Sequence, residues 1–575
     1  MRFDRGRAKT KEVDHQTKQN EQHATVRALH PGIDVLPLSR RPGLTDSGPA
    51  PVPMRPPGGG AAAAERQCDV LVVGGGINGA GIARDLAGRG ASVVLCEKDD
   101  LAQHTSSSST KLVHGGLRYL EYYEFSLVRK ALAEREVLLK SAPHIIWPLR
   151  FVMPHDRSMR PSWMIRAGLF LYDHLARREV LPGSRTVDLR RHVAGKALKP
   201  AFTKGFVYSD GWVDDARLVV LNAVDAAAHG ATVLTRTRCV DARRSADRWD
   251  VRLEGEGAGT VRARVLVNAA GPWAAEFLGG AAHIGRHKEL RLVKGSHIVV
   301  PRLFDHDHAY IFQNPDKRII FAIPYEGDFT LIGTTDVEHT GPVGEARIDA
   351  AETAYLCEQA SRYFAQPVRP GDVVWSYSGV RPLLEDEAGD PSAVTRDYQL
   401  DLDSAGAPLL TIWGGKITTF RKLAEEAGDL LAGTLPMPRG AWTHGAFLPG
   451  GDLSAFVGAA QRPDTDFVRF KQVLALRHPA LPEPLLHRLA RAYGSRVEAL
   501  LGSGGLGVAV APGLHEAELR YLHDHEWARN ADDVLWRRSK LGLHLSEAER
   551  AAVTSWCETE WPSATHARRS ERAWS

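Results

Sequence analysis

A short apolar strand that runs directly into a cluster of glycines limits what this chain can fold into more than any other feature. Residues 68–73 are apolar and rich in valine, as in a buried parallel strand. Gly74-Gly75-Gly76-Ile77-Asn78-Gly79 follows at once with G-x-G-x-x-G spacing. Residues 79–89 then have helical periodicity, and residues 92–97 form a second apolar run. This order predicts a βαβ unit and therefore an α/β fold.

The glycine turn and the acidic residue after the second strand have the spacing of a dinucleotide site. Backbone N–H groups of a turn that contains Gly74, Gly76, Asn78 and Gly79, together with the helix dipole, attract a pyrophosphate. Glu97 ends the second strand, where a carboxylate accepts hydrogen bonds from both hydroxyls of an adenosine ribose. The alternative is a glycine-rich turn without a ligand. The fingerprint predicts a dinucleotide and leaves FAD and NAD unseparated.

The length, charge and cysteine content of the chain bound its class. A chain of 575 residues exceeds one average hydrophobic core, which favours two or more domains. Its net charge of +4, with cations scattered among acids, gives no nucleic-acid footprint. The five cysteines lack CxxC spacing, so we expect a reducing cytoplasm and no metal site. No stretch reaches the ~18 apolar residues of a membrane span, and the first residues lack the apolar core of a signal peptide.

Periodicity along the rest of the chain predicts a mixed core followed by a helical end. Residues 126–140 have the pattern of an amphipathic helix. Strands are predicted at 232–234, 265–268, 297–300, 319–323, 331–333 and 409–413, and helices at 484–493 and 516–523. We therefore predict an α/β fold in which a Rossmann-like domain is interleaved with a mixed-sheet substrate domain, followed by a C-terminal helical domain. The expected boundaries are 1–64 for a disordered extension, 65–435 for the core and 436–575 for the helical domain.

Three further segments contain residue types that suit a cofactor or an anion. Residues 105–119 combine hydroxyls, glycines and cations, although such a stretch can also be a solvated linker. Residues 267–273 form a strand that ends in small residues, with a plain strand-to-helix turn as the alternative. Residues 413–420 offer free N–H groups, an ammonium and hydroxyls before a helix, with a helix cap as the alternative. The Walker A order is missing there, so phosphoryl transfer from ATP has no support.

Taken together, these segments resemble bacterial FAD-dependent glycerol-3-phosphate dehydrogenase. The resemblance is carried by residues 74–81, 105–120, 294–300, 333–336, 377–382 and 414–422, and it extends from about Cys68 to residues 527–543. It implies FAD as the cofactor and oxidation of sn-glycerol 3-phosphate to dihydroxyacetone phosphate, with hydride transfer from C2 to flavin N5 and electrons passed to a membrane quinone. The extension ahead of Cys68 and the pair Gln103-His104 depart from the family pattern, and neither receives a role.

The resemblance also assigns residues to the site. A phosphate dianion in a partly closed site needs several cations, and the implied substrate-binding residues are Arg118, Tyr119, Arg381, Arg396 and Lys416. Of these, Arg118, Arg381 and Lys416 are also expected in the catalytic set, although an isolated arginine is more often part of a surface ion pair. His297 is the candidate base, with a core histidine as the alternative. The implied cofactor-binding residues are Gly74, Gly76, Asn78, Gly79, Glu97, Thr105, Ser107, Lys111, Leu112, Gly115, Gly271, Gly415 and Thr418.

The family places such enzymes peripherally on the inner face of the cytoplasmic membrane, because their acceptor dissolves in lipid. Residues 163–172, with Arg177 and Arg178, have the composition of an interfacial amphipathic helix, and core packing is the alternative. A homodimer is left open. Two rival functions also stay open: an oxidase that passes electrons from glycerol 3-phosphate, or from an amino or hydroxy acid, to oxygen, and a flavin-binding protein without catalysis.

Overall fold

The computed structural model describes residues 64–156, 159–285, 288–316, 318–384, 397–502 and 505–561. The expected disordered extension, apart from Ala64, and the candidate Arg396 lie outside these residues. The strands are β1 Ala64–Val73, β2 Val93–Cys96, β3 Leu112–Val113, β4 Ile146–His155, β5 Arg185–Asp188, β6 Lys204–Val213, β7 Thr232–Leu234, β8 Thr237–Arg244, β9 Trp249–Gly255, β10 Gly259–Asn268, β11 Leu290–Pro301, β12 His308–Gln313, β13 Ile319–Tyr325, β14 Phe329–Gly333, β15 Val337–Glu338, β16 Trp375–Leu384, β17 Gln399–Asp403, β18 Leu409–Trp413, β19 Ala509–Ala511 and β20 Leu514–His515. The α-helices are α1 Ile77–Arg89, α2 Phe125–Ser141, α3 Ser162–His174, α4 Asp215–Ala228, α5 Ala274–Gly279, α6 Ala350–Tyr363, α7 Phe420–Ala432, α8 Ser454–Val457, α9 Pro463–Arg477, α10 Glu483–Tyr493, α11 Val497–Leu501, α12 Glu516–Glu526 and α13 Glu547–Glu560.

An eight-stranded sheet forms the dinucleotide-binding half of the core, with β1 at its centre. β1 is parallel to both β2 and β10, and β10 is parallel to β18. Val70, Leu71 and Val72 are fully buried, because a central parallel strand is covered on both faces. Parallel strands end at the same edge of a sheet. The turns that follow β1, β10 and β18 therefore meet there, although they are far apart in sequence.

Helix α1 packs against α4 and α7 on one face of this sheet. Its apolar side, including Ile82, Ala83 and Leu86, is fully buried with the strands. The predicted βαβ unit is confirmed, with α1 beginning at Ile77 and ending at the left-handed Gly90. Gly90 donates to carbonyls of the last turn, which is the usual way in which a helix ends before a strand.

A second sheet of ten strands carries the candidate substrate residues. One of its two longest antiparallel pairs joins β11 to β16, with His297 opposite Tyr377 and Gly295 opposite Gly379. Side chains two residues apart on a strand point to the same face. This pairing therefore gives His297 and Arg381, which lie on different strands, the same face of the sheet.

The residues after about 450 form a mainly helical unit with its own core. The helices α9, α10, α12 and α13 contribute buried side chains such as Phe470, Leu489, Leu522 and Val553. The predicted helices at 484–493 and 516–523 correspond to α10 and α12. The unit also contains the short antiparallel pair β19–β20, which the sequence did not predict. Among the described residues, no helix combines the length and apolarity needed to cross a membrane.

Candidate active site

Two adjoining cavities lie where the two sheets meet. The first has a volume of about 400 Å³ and is bounded by the glycine turn, Glu97 and the end of β10. The second, of about 240 Å³, is bounded by the segment that begins at Thr105 and by β11 and β16. Both include Ile77, Thr105, Ser106, Pro382, Gly414 and Gly415 in their walls. An elongated ligand can therefore extend from the first cavity into the second.

The glycine turn of the first cavity is shaped by close backbone approach. Gly74 has a φ of +113°, and a Cβ there would lie 2.5 Å from the carbonyl oxygen of Ala269. A Cβ at Gly79 would lie 1.9 Å from the Gly74 oxygen, so this position tolerates only glycine. Gly79 itself is not in the cavity wall; it allows the turn that places Gly74 and Gly76 there.

The carboxylate of Glu97 is held at the wall of this cavity by two backbone groups. Gly75 N–H donates to its Oε2 at 2.6 Å, and Asp99 N–H donates to its Oε1 at 2.8 Å. Burial raises the pKa of the Glu97 carboxyl. These two bonds fix the carboxylate orientation and leave it further lone pairs with which to accept ribose hydroxyls.

The second cavity brings together the candidate cations and the candidate base. Arg381, Lys416 and His297 all line it, together with Tyr119 and Thr418. Arg381 and Lys416 line the same cavity, as joint recognition of one phosphate requires. The ammonium of Lys416 lies 4.1 Å from the ring centroid of Tyr119.

Arg381 has a restrained guanidinium. Its Nη2 donates to the carbonyl oxygen of Thr335 at 3.0 Å and lies 2.6 Å from Asp336 Oδ1. A Cβ at Gly295 would lie 2.5 Å from the same nitrogen, so the absence of a side chain there makes room for the guanidinium. Its side chain remains 29 % exposed, which keeps it accessible to a ligand.

His297 is buried in the cavity wall. Its Nε2 lies 2.9 Å from Thr110 Oγ1, its ring stacks on Tyr377 at a centroid distance of 4.8 Å, and its Nδ1 has no hydrogen-bond partner among the described residues. Burial first, and the nearby cations Lys111 and Arg381 second, hold the pKa of His297 well below its usual value. The imidazole is therefore neutral near pH 7 and can accept a proton.

Most predicted cofactor residues lie on the two cavities, and several do not. Those in a wall are Gly74, Gly76, Asn78, Glu97, Thr105, Leu112, Gly271, Gly415 and Thr418. Ser107 lines a neighbouring cavity instead. Lys111 is turned inward, because its ammonium forms a buried ion pair with Asp215 at 2.7 Å. Gly115 is packed under Leu132 and donates its N–H to Tyr172 Oη at 2.8 Å.

Arg118 is the substrate candidate that the structure does not bring to the second cavity. Arg118 and Tyr119 are consecutive in the 3₁₀ turn Leu117–Tyr122, and their side chains leave it in different directions. Tyr119 enters the second cavity, whereas Arg118 lines a separate surface cleft with Arg160, Lys199, Arg318 and Arg362. The residue spacing alone could not distinguish these directions.

Three residues that the sequence did not single out complete the site. Thr110 contacts His297, Asp336 pairs with Arg381, and Ser106 Oγ accepts a hydrogen bond from Ile77 N–H at 3.0 Å. Thr110 and Ser106 lie inside the hydroxyl-rich segment 105–119, which was the available signal. Asp336 lies inside segment 333–336, which carries part of the resemblance, but its pairing with Arg381 depends on where β16 lies.

The two cavities fit FAD. The glycine turn and Glu97 suit the ADP half, and the shared wall leads onward to a pocket in which an imidazole and two cations face one space. Gly414 and Gly415, with φ of +70° and +106°, place backbone along the junction where side chains would obstruct a ring system. This fold and this site define a flavin-dependent oxidoreductase.

Comparisons with known proteins agree with that class. Residues 69–421 match the family described as FAD dependent oxidoreductase, and residues 441–559 match the C-terminal domain of alpha-glycerophosphate oxidase. The chain belongs to the family of FAD-dependent bacterial glycerol-3-phosphate dehydrogenases. The predicted α/β fold, the FAD cofactor and the resemblance are thereby confirmed.

This chain aligns with nearly the whole length of several relatives. The chain is 54 % identical over 497 residues to D-erythritol 1-phosphate dehydrogenase of Brucella abortus, covering 85 % of this chain and 97 % of that protein. It is 52 % identical over 502 residues to glycerol-3-phosphate dehydrogenase of Pseudomonas aeruginosa, covering 86 % and 96 %. A solved structure of glycerol-3-phosphate dehydrogenase from Bacillus halodurans complexed with FAD superposes with a TM-score of 0.69 at 27 % identity, covering 87 % of this chain and 92 % of that one.

Proposed function

We propose that this protein oxidises sn-glycerol 3-phosphate to dihydroxyacetone phosphate and passes the electrons to a membrane quinone. The observation that carries the proposal is the convergence of Arg381, Lys416 and His297 on the cavity that continues from the dinucleotide site. This set provides two cations for a phosphate and one neutral base for a hydroxyl. Relatives named glycerol-3-phosphate dehydrogenase, at 50 % and 52 % identity, support this substrate.

Arg381 and Lys416 bind the phosphate and thereby position the rest of the substrate. Arg381 is already ordered by Thr335 and Asp336, so little conformational freedom is lost when it binds a phosphate oxygen. Lys416 contributes a compact charge beside Tyr119. With the phosphate anchored at one end, C2 of a three-carbon alcohol is held at a fixed distance from it.

His297 accepts the proton of the C2 hydroxyl as C2 becomes a carbonyl carbon. FAD, when bound, would supply the oxidant that takes up the hydride from C2. Burial is the largest cause of the low pKa of His297, and Lys111 and Arg381 follow; the negative charge of a bound phosphate opposes the contribution of these two cations. Thr110 and Tyr377 fix the orientation of the ring.

D-erythritol 1-phosphate is the second candidate substrate. The relative named D-erythritol 1-phosphate dehydrogenase is 54 % identical to this chain. Like glycerol 3-phosphate, D-erythritol 1-phosphate is a phosphorylated alcohol, and it has one more carbon. The same two cations and the same base can therefore bind and oxidise it. Asp397 lies in the wall of the second cavity, where a carboxylate can accept a hydrogen bond from an additional hydroxyl.

An exposed apolar face supports the membrane and quinone parts of the proposal. On α3, the side chains of Trp163, Met164, Ala167, Phe170 and Leu171 all face solvent, with Trp163 69 % and Phe170 57 % exposed. The helix packs against the turn Leu117–Tyr122, whose Tyr119 reaches the second cavity. A lipid-soluble acceptor that meets this face is therefore close to the redox site.

Anaerobic titration tests the reaction. Purified holoenzyme is mixed with sn-glycerol 3-phosphate or D-erythritol 1-phosphate, and flavin absorbance is followed in a stopped-flow spectrometer. We expect bleaching by glycerol 3-phosphate, and the ratio of reduction rate to Kd ranks the two substrates. Bleaching by neither would refute the proposal and support a flavin-binding protein without catalysis.

Two further measurements test the acceptor and the membrane. Rapid oxygen uptake without quinone would instead support an oxidase. The match to the C-terminal domain of alpha-glycerophosphate oxidase favours this alternative.

Flotation with vesicles of mixed phosphatidylethanolamine and phosphatidylglycerol tests attachment of the protein to a membrane. Phe170→Asp should abolish flotation, whereas Val508→Asp, which changes an exposed residue of another region, should not. The membrane assignment would be contradicted if the wild-type protein did not float with vesicles and instead formed a dimer that Phe170→Asp dissociates. The exposed face would then be a dimer interface.

A further inference from the structure

One of the contacts between the C-terminal unit and the cofactor half of the core is made by a buried carboxylate, that of Asp100. Asp100 belongs to the 97–104 loop, and its side chain is fully buried. Its Oδ2 accepts from Arg537 Nε at 2.6 Å and from Arg538 Nη1 at 2.5 Å, and its Oδ1 accepts from Arg538 Nη2 at 2.8 Å. The two arginines hold the pKa of the Asp100 carboxyl below its usual value despite its burial.

The two arginines are themselves held by the C-terminal unit. They belong to the π-helical segment Asp533–Arg538, and Arg538 Nε donates to the carbonyl oxygen of Glu526 at 3.0 Å. Asp533 pairs with Arg537 and with Arg236, the latter at 2.6 Å. The position of Asp100 is therefore set by residues more than four hundred positions away in the chain.

The same loop forms a wall of the ADP cavity. Glu97, Lys98, Ala102, Gln103 and His104 all line that cavity. Ala102 N–H donates to the carbonyl oxygen of Gly75 at 3.2 Å, so the loop is also tied to the glycine turn. Asp100 lies between these residues but is not in the cavity wall, and it points instead to the C-terminal unit.

We propose that Arg537 and Arg538 are positioning residues for FAD, acting through Asp100 on the 97–104 loop. Conformations of the loop that separate Asp100 from the arginines leave a buried charge unpaired, and they are strongly disfavoured. The loop is thus ordered before FAD arrives, and binding loses less conformational freedom. Because coupling between two sites is reciprocal, bound FAD also stabilises the docking of the Asp533–Arg538 segment.

Measured FAD affinity tests the proposal. The apoprotein and its Arg538→Met and Asp100→Asn variants are titrated with FAD and followed by flavin fluorescence. We expect both variants to raise the Kd on the order of tenfold or more. Saturating FAD should restore kcat and leave the KM for the phosphorylated alcohol unchanged, because neither residue touches the second cavity.

Arg488→Met is the matched control. Like Arg538, Arg488 makes two bonds to a buried carboxylate, that of Glu518 at 2.7 and 2.6 Å, and one to a backbone carbonyl, that of Gly513 at 2.5 Å. Both partners of Arg488 lie inside the C-terminal unit. An increase in Kd for Arg488→Met equal to that for Arg538→Met would overturn the proposal, because it would reduce the effect to general loss of stability.

Hydrogen exchange on the wild-type protein provides a test that does not require a variant to fold. Peptides covering residues 97–104 and 526–541 are compared with and without FAD. We expect slower exchange in both regions when FAD is bound, and no change in residues 509–518, which line neither cavity. Absence of protection in residues 526–541 would overturn the proposal even if the variants proved insoluble.

Discussion

Replacement of Arg381 by Met is the sharpest test of the substrate site. The change removes the guanidinium while keeping an unbranched side chain of similar length. A bidentate arginine makes two charge-assisted hydrogen bonds to a phosphate, each of about 1.5–3 kcal/mol. Arg381 is 29 % exposed, so solvent screening places the loss near the lower limit, at about 3 kcal/mol in total. Since 1.4 kcal/mol corresponds to tenfold in Kd, we expect the Kd of glycerol 3-phosphate to rise about 150-fold.

The neighbouring carboxylate gives this prediction an internal check. In Arg381→Met, Asp336 loses the cation that lies 2.6 Å from its Oδ1 and repels the phosphate instead. Adding Asp336→Asn removes that repulsion, so the double variant should bind substrate more tightly than Arg381→Met alone. This order is the reverse of what independent losses would give.

Stopped-flow flavin reduction separates the effect on binding from the effect on chemistry. The limiting reduction rate at saturating substrate should fall far less than the affinity, because Arg381 holds the phosphate and not the reacting carbon. Arg381→Lys, which keeps the charge but loses the bidentate geometry, should fall between wild type and Arg381→Met. An increase in Kd below fivefold, or a double variant weaker than the single one, would refute the phosphate role.

Three other changes test separate parts of the argument. His297→Asn should lower the limiting flavin reduction rate by about 10²- to 10⁴-fold with little change in substrate Kd, as expected for loss of a base, and equal losses in both would contradict that role. Gly79→Ala should yield protein without FAD, measured by the ratio of flavin to protein absorbance, because the added Cβ would lie 1.9 Å from the Gly74 oxygen. Gly168→Ala is the control and should retain FAD, because a Cβ there would meet no atom of the described residues within 4 Å outside the adjoining helix backbone. Burial lowers the pKa of His144 from 6.5 to about 3, so the unfolded chain binds the additional proton between these values and folding stability falls as pH falls through that range, by about 1.4 kcal/mol per pH unit. His144→Gln should flatten this part of the stability curve in urea unfolding measured from pH 6.5 to 4, and an unchanged slope would show that another group is responsible.

The sequence predicted the buried ends of strands better than their full lengths. The run 265–268 was predicted as a strand, whereas β10 begins at Gly259. The first half of β10 alternates buried and exposed residues and pairs with β9, while its last four residues are all buried between β1 and β18. A continuous apolar run marks only the part of a strand that is covered on both faces. The same reason explains why β11 begins at Leu290, well before the predicted 297.

The dinucleotide site was determined by the sequence itself. Gly74, Gly76, Gly79 and Glu97 lie within a single βαβ unit, so their relative positions follow from local backbone geometry and need no distant contact. The helical character of the C-terminal unit was likewise readable from its periodicity.

Only the tertiary structure decided which distant side chains share a cavity. His297 and Arg381 come together because β11 and β16 pair in one register, and a shift of that register by one residue would turn one of them away. Arg118 and Lys111 are the converse cases, since the direction of each depends on neighbours that the linear sequence does not specify. The contact of Arg538 with Asp100 has the same origin, because a buried ion pair between remote segments exists only once both segments have packed.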